Sequence, residues 1–357
     1  MTANTHLGSS ALLVRTSSRL LDEGRDHELA GRSGEAMECY AAAVDLTSRG
    51  AEPRLRAESL RRLAVLHHIR AEPEAALDLC RRSRELAMQS DAPDLAAEAS
   101  NALAGFALER GELDEAWGLY QAALELSDGN PALLGKITQN LGIIANIRGA
   151  WEEALAHYRS ALDAYRSVSD RRGTAIVHHN LGMIYAKRKQ WQEADRQYRS
   201  CQGIAEAAGD RHLGGLAGLN RAEVRLAIDD LEGARASAEQ ALRIFNEIEA
   251  RRDKAGAHRL LGMVFRRRGQ MALAESHLRS AMEIAAGAQC PLTEADAARE
   301  LAQLYQSQRR VDEALKLLER ARTTYQKLEA AADLVEVDEL ITAYRVPPSG
   351  QLPPSAR

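Results

Sequence analysis

The stretch Asn140–Asp170, NLGIIANIRGAWEEALAHYRSALDAYRSVSD, returns 40 residues later as Asn180–Asp210, NLGMIYAKRKQWQEADRQYRSCQGIAEAAGD. Self-similarity at a fixed step of this size marks an array of one repeated supersecondary unit. The pattern is anchored on a small residue, Gly142, followed 12 residues later by Ala154. The same pair recurs as Gly24/Ala36, Ala64/Ala76, Ala104/Ala116, Gly182/Ala194, Ala222/Ala234, Gly262/Ala274 and Ala302/Ala314. Successive first members are 40 residues apart, except for a step of 38 between Ala104 and Gly142.

Each unit reads as two helices. In the fourth, helix A covers about Ala132 to Ile147 and helix B about Trp151 to Val168. Between them Gly149 stands where a helix C-terminus requires positive φ, a slot shared by Gly111 and Gly269. Links such as Ser127–Pro131, Ser169–Arg172 and Gly209–Arg211 supply the Asp, Gly and Pro that end one helix and begin the next. The small anchors let helix B approach helix A. A leucine precedes the first anchor in six units: Leu63, Leu103, Leu141, Leu181, Leu261 and Leu301. Four residues after the second anchor stands a larger residue, Tyr40, Tyr120, Tyr158 and Tyr198 among them, and three further on a small one. Spacings of +4 and +7 put both on one helical face, which the pattern turns toward the neighbouring unit.

Composition agrees with an all-α chain. Alanine, leucine, arginine and glutamate dominate, and only 4% of residues are aromatic. A net charge of −4 over 357 residues lacks the basic excess of a general nucleic-acid binder. Cys39, Cys80, Cys201 and Cys290 form no CxxC or Cys/His cluster and read as free thiols of a reducing compartment. No signal peptide or membrane span is expected, which points to the cytoplasm. His67-His68 and His178-His179 are helix neighbours about 100° apart and cannot chelate one ion. No nucleophile elbow, phosphate-cradling loop or metal-ligand spacing occurs, so neither enzyme chemistry nor a cofactor is expected.

Leu-Gly ahead of a Gly or polar turn, then Ala, an aromatic at +4 and a small residue at +7, resembles the tetratricopeptide repeat, most closely in Leu141–Ala161 and Leu181–Cys201. The common repeat has about 34 residues. The 40-residue form is similar to the arrays of kinesin light chains, LGN-type polarity adaptors and bacterial regulators. The sixth unit departs from the pattern, with Arg221 for the leucine and Ala238 for the aromatic. The resemblance covers 17–330 and implies an α-solenoid: a right-handed superhelix of eight helix-turn-helix units whose concave wall is built mainly from the A helices. Residues 1–16 are expected to be irregular or weakly helical, 331–345 to form a capping helix, and 346–357 (VPPSGQLPPSAR) to be a disordered Pro/Ser tail.

Counting from the anchors places the candidate site on that wall. Asn140, Asn180 and Asn220 stand two residues before the first anchor, and Asn101 three before it. An amide both donates and accepts. Similar asparagines in long arrays grip an extended chain, so these four either hold a ligand backbone or bond a neighbouring helix and order the stack. His179 adjoins Asn180. Lys136, Lys187, Arg259 and Arg266 supply positive charge for a partner carboxylate, and Ile143, Met183 and Met263 an apolar floor. The expected partner is a protein or peptide, held by a scaffold or by a sensor that changes pitch on binding. Neither nucleic acid nor membrane is expected, and self-association through the ends of the stack is possible. The 38-residue step suggests a change of pitch near Asn140.

Overall fold

The computed structural model describes residues 2–48, 52–127 and 129–345, with side chains from residue 12. Among them are seventeen α-helices and no strand, forming two compact units, Met1–Gly173 and Thr174–Arg357. The first unit holds α1 (Thr2–Leu29), α2 (Ser33–Ser48), α3 (Pro53–Ile69), α4 (Pro73–Gln89), α5 (Pro93–Glu109), α6 (Leu113–Leu126), α7 (Pro131–Ile147) and α8 (Trp151–Ser167). α9 (Arg171–Lys187) opens at the boundary. The second unit continues with α10 (Trp191–Ala207), α11 (Arg211–Ala227), α12 (Leu231–Glu247), α13 (Arg251–Arg267), α14 (Met271–Gly287), α15 (Pro291–Ser307), α16 (Val311–Lys327) and α17 (Ala331–Arg345). In the first unit each odd helix packs on the following even one, each even helix on the next odd one, and successive odd helices touch. In the second, α11 with α12, α13 with α14 and α15 with α16 form the same pairs. The fold is an all-α solenoid of helix pairs.

The glycine anchors answer to the residue at +4. A Cβ on Gly142 would lie 2.6 Å from the Tyr158 ring, and one on Gly182 2.6 Å from the Tyr198 ring. Gly24 is crowded by Tyr40 in the same way. At three of the four alanine anchors, Ala64, Ala222 and Ala302, the partner at +4 is the smaller Cys80, Ala238 or Leu318, while Ala104 keeps a tyrosine, Tyr120. The +4 side chain thus lies first on its own unit's anchor, not only toward the neighbour as the spacing suggested. A second row, not marked in the sequence, stands at +11: Tyr165, Phe245 and Tyr325 are buried, and Gly135 and Gly215 make room for the first two. Each such ring buries roughly 150–250 Å², which makes the two rows the main apolar contribution to pair packing.

The helix ends follow simple rules. Gly111, Gly149 and Gly269 take φ of +79°, +75° and +73°. After α7 the Ala150 N–H donates to the Ala145 carbonyl, closing a Schellman turn. The equivalent corners without glycine adopt the same left-handed conformation at Ala71, Lys189, Asp229 and Arg309, at a cost of about 1 kcal/mol each. The short step between Ala104 and Gly142 is absorbed in α6, which has 14 residues where its neighbours have 17, and α7 restarts at Pro131 behind an Asn130 cap.

Arg221, which replaces a core leucine, reaches Asp195 at 3.0 Å and the Gln202 carbonyl at 2.9 Å. The odd residue of the sixth unit is thereby paired with the preceding helix B. α17 buries Val337 and Ile341, and Arg299 ties it down through Asp333 at 3.1 Å and Glu336 at 2.9 Å. Of the two alternatives for residues 1–16, irregular or weakly helical, the structure has the helical one, since the chain is helical from Thr2 onward as the first part of α1. The expected Pro/Ser tail, 346–357, lies outside the described residues.

Candidate functional site

Along the odd helices of the first unit runs a groove of about 770 Å³, lined from Arg25 on α1 to Asn140 on α7. It brings together Asn101, Lys136 and Asn140; Ile143, half-buried one turn beyond, does not line it. Its charges are mostly spent on each other. Arg25 bonds Glu58, Arg62 reaches both Glu28 and Glu58 at 3.3 Å, and Arg61 meets Glu98 at 2.6 Å. His68 Nε2 lies 2.7 Å from Glu109. Burial would raise the Glu58 carboxyl, but the bonds from Arg25 and Arg62 hold it below the usual range. Lys136 is different: it is exposed, and among the described contacts it makes no ion pair.

The four candidate asparagines divide into two kinds. Asn140 lies beside the Tyr120 hydroxyl, the +4 tyrosine of the preceding helix B, and favours its ionised form against the effect of burial. Asn220 lies beside the Tyr198 hydroxyl in the same way in the second unit, and its Nδ2 lies 2.9 Å from His179 Nε2. The other two carry unspent capacity: Asn101 Oδ1 and Asn180 Nδ2 are buried atoms without a partner among the described residues. An amide group left in that state costs about 1–3 kcal/mol. The tyrosine partners were not foreseen, although the combination of an aromatic at +4 with an asparagine ahead of the next anchor recurs in the sequence.

In the second unit, Met183 packs beside Tyr198 and Val224, and Lys187 lies exposed at the end of α9. Met263 and Arg266 share a recess of about 280 Å³ with Leu226, Leu260 and Glu223. The arginines expected to meet a partner's carboxylate already have acids of neighbouring helices: Arg259 donates to Glu223 at 3.2 Å, and Arg266 to Glu300 at 2.8 Å. Arg267 caps the Leu226 carbonyl at 2.8 Å. The signal for these pairs lay in acids and arginines about one repeat apart, 34 residues for Arg266 and Glu300.

Burial lowers His179 below the ordinary imidazole range, a bond with Asn180 opposing it. Burial pushes the Cys80 and Cys201 thiols up to about 12, leaving both neutral. Among the described residues no three His, Cys, Asp or Glu side chains converge on a metal position. No described helix is long and apolar enough to cross a membrane.

Tetratricopeptide-repeat models match residues 86–131, 133–207 and 295–329. A search of curated proteins finds no match. Among solved structures the chain resembles the apo quorum sensor NprR from B. thuringiensis, with 17% identity over 86% of this chain and 87% of that one, at a TM-score of 0.69. It also resembles a signal-transduction ATPase with a tetratricopeptide-repeat sensor from Pyrococcus horikoshii, with 18% identity over 94% of this chain and 50% of that one, at a TM-score of 0.71. A Rap protein complexed with competence and sporulation factor is similar at 13% identity over 92% of this chain and 99% of that one, with a TM-score of 0.59. Identities this low establish a shared fold and nothing finer.

Proposed function

We propose that this tetratricopeptide-repeat chain is a non-enzymatic scaffold that holds an extended peptide or partner segment against the wall of its odd-numbered helices. The observation that carries the reading is the unspent polar capacity of that wall. Asn101 in the first unit and, separately, Asn180 in the second each keep a buried atom without a partner among the described residues, and Lys136 stands in the first unit's groove with no ion pair among the described contacts. A passing peptide backbone supplies both N–H and C=O, and so answers an acceptor and a donor alike. Apart from Lys136, the paired charges leave little net field, which fits a partner read by its backbone and shape more than by its charge. Four free cysteines and the balanced charge fit a cytoplasmic protein with a protein partner, not nucleic acid.

The test is affinity capture from the source cell with wild type and with the Asn101→Ala/Lys136→Ala double variant. The reading expects a captured protein that the variant loses while its melting temperature stays within about 2 °C of wild type. Equal capture by both would remove the groove from the account.

A second reading is favoured by the likeness to the apo quorum sensor and to the Rap protein complexed with competence and sporulation factor. In this reading the chain is a peptide-responsive regulator whose helix pairs shift on binding. X-ray scattering with and without the captured partner separates the two readings: an unchanged profile for the array fits a scaffold, and a changed radius of gyration fits the regulator.

A further inference from the structure

Asn220 differs from Asn140 in one respect. Both lie beside the tyrosine of the preceding helix B, but Asn220 also faces an ionisable ring, with its Nδ2 2.9 Å from His179 Nε2. An amide nitrogen can only donate, so the imidazole nitrogen opposite must be the bare one, with the ring proton on Nδ1. A protonated imidazole carries N–H on both nitrogens. Protonation would set two donors against each other across this contact. The economical relief is a half-turn of the Asn220 amide about χ2, a broad and nearly two-fold torsion, which brings Oδ1 to the ring and turns the NH2 outward.

We propose that His179 is a positioning residue for Asn220: the charge on its ring sets which end of the Asn220 amide faces the wall, and so whether a bound chain meets an acceptor or a pair of donors there. The assignment rests on the reading of that wall as a peptide-binding surface. Asn220 lies one turn before Glu223, which lines the recess beside Met263, so the switch sits at the edge of the site.

The surroundings in this unit leave the ring free to decide the matter. On α9, Asn180 bonds the ring, while His178 turns to Gln197 Oε1 at 2.7 Å. On α10, the Tyr198 ring stands edge-on at 5.7 Å, and the Cys201 thiol lies near the His179 backbone. Burial keeps both the phenol and the thiol neutral. On α11, Glu223 is engaged by Arg259 at 3.2 Å. No carboxylate is recorded bonding the imidazole, and burial disfavours its charge. The ring is therefore neutral at pH 7 and gains its proton only below the ordinary histidine range.

The experiment is a pH titration of the full chain, free of any partner and labelled with ¹⁵N on histidine and asparagine, from pH 8 to 5. His179 and Asn220 are assigned through His179→Phe and Asn220→Asp. The expected result is a His179 ring with its proton on Nδ1 at pH 7.5, and Asn220 side-chain signals that inflect at the same pH as His179. In His179→Phe the Asn220 signals should stay flat. A proton on Nε2 at neutral pH, or Asn220 signals indifferent to the His179 titration, overturns the proposal. The wild-type titration alone separates these outcomes should a variant misfold. Because no partner is present, failure here leaves the groove reading standing, and failure of the groove reading leaves the His179–Asn220 coupling measurable.

Discussion

A methyl group on Gly142 would stand 2.6 Å from the Tyr158 ring, closer than van der Waals contact allows, and the ring is fully buried. Gly142→Ala should therefore destabilise the first unit by roughly 1–3 kcal/mol through overpacking, although alanine is the better helix former by about 1 kcal/mol. A denaturant midpoint that rises would show the helix term winning and the close contact to be unimportant. The asparagines make a second contrast. Asn140→Ala removes the amide beside the buried Tyr120 hydroxyl and should cost about 1–2 kcal/mol, whereas Asn101→Ala removes an oxygen without a partner among the described residues and should cost less. Equal losses in thermal denaturation would mean that the two amides play one role. The positions of all four asparagines were legible from the 40-residue register; their division into paired and unpaired was not. That division depends on whether a tyrosine hydroxyl lies within reach, a matter of helix approach to fractions of an ångström. Arg259 and Arg266 illustrate the same limit, since a basic cluster in one dimension became a row of ion pairs once neighbouring helices supplied Glu223 and Glu300.

At the scale of the element, the helix pairs could be placed because every corner obeys local chemistry. Gly111, Gly149 and Gly269 announced their turns by composition. Lys189, Asp229 and Arg309 make the same turn without announcing it, because the packed helices on either side enforce a conformation their residue type resists. α1 shows the converse: Thr2–Leu29 lacks the repeat pattern in its first half, yet it continues as helix, since an absent pattern does not by itself end one. The α13/α14 pair carries a pH-dependent element. His258 and His277 face each other with Nδ1 atoms 3.0 Å apart. Burial, and then the facing His277, push His258 down to about 4, while burial lowers His277, partly offset by Glu239. A folded-state pKa below the unfolded 6.5 means that the unfolded chain binds more protons between those values, so folding is disfavoured as the pH drops. The stability this pair contributes is whole above about pH 6.5 and is lost on descent toward pH 4. Urea unfolding at pH 7.5 and pH 5 should show a loss that His258→Gln reduces. An equal loss in the variant would place the acid sensitivity elsewhere.

Across the whole molecule, the repeat fixes which helices form walls, and the walls differ in what they offer. In the first unit the groove narrows to a row of mutually neutralised charges with Lys136 and Asn101 left over. In the second, the amides and His179 lie near a small apolar recess at Met263. On the proposed reading, such a scaffold would recognise chain shape and backbone before sequence, which suits the length of wall that repeated helix pairs provide. The direct test of that claim is site-specific photocrosslinking in the source cell, with the photoreactive residue at Ala102 in the groove floor or at Met88, exposed on α4 away from it. The account predicts a crosslinked partner band from Ala102 that is missing from Met88. A partner that crosslinks at Met88 and not at Ala102 would contradict it.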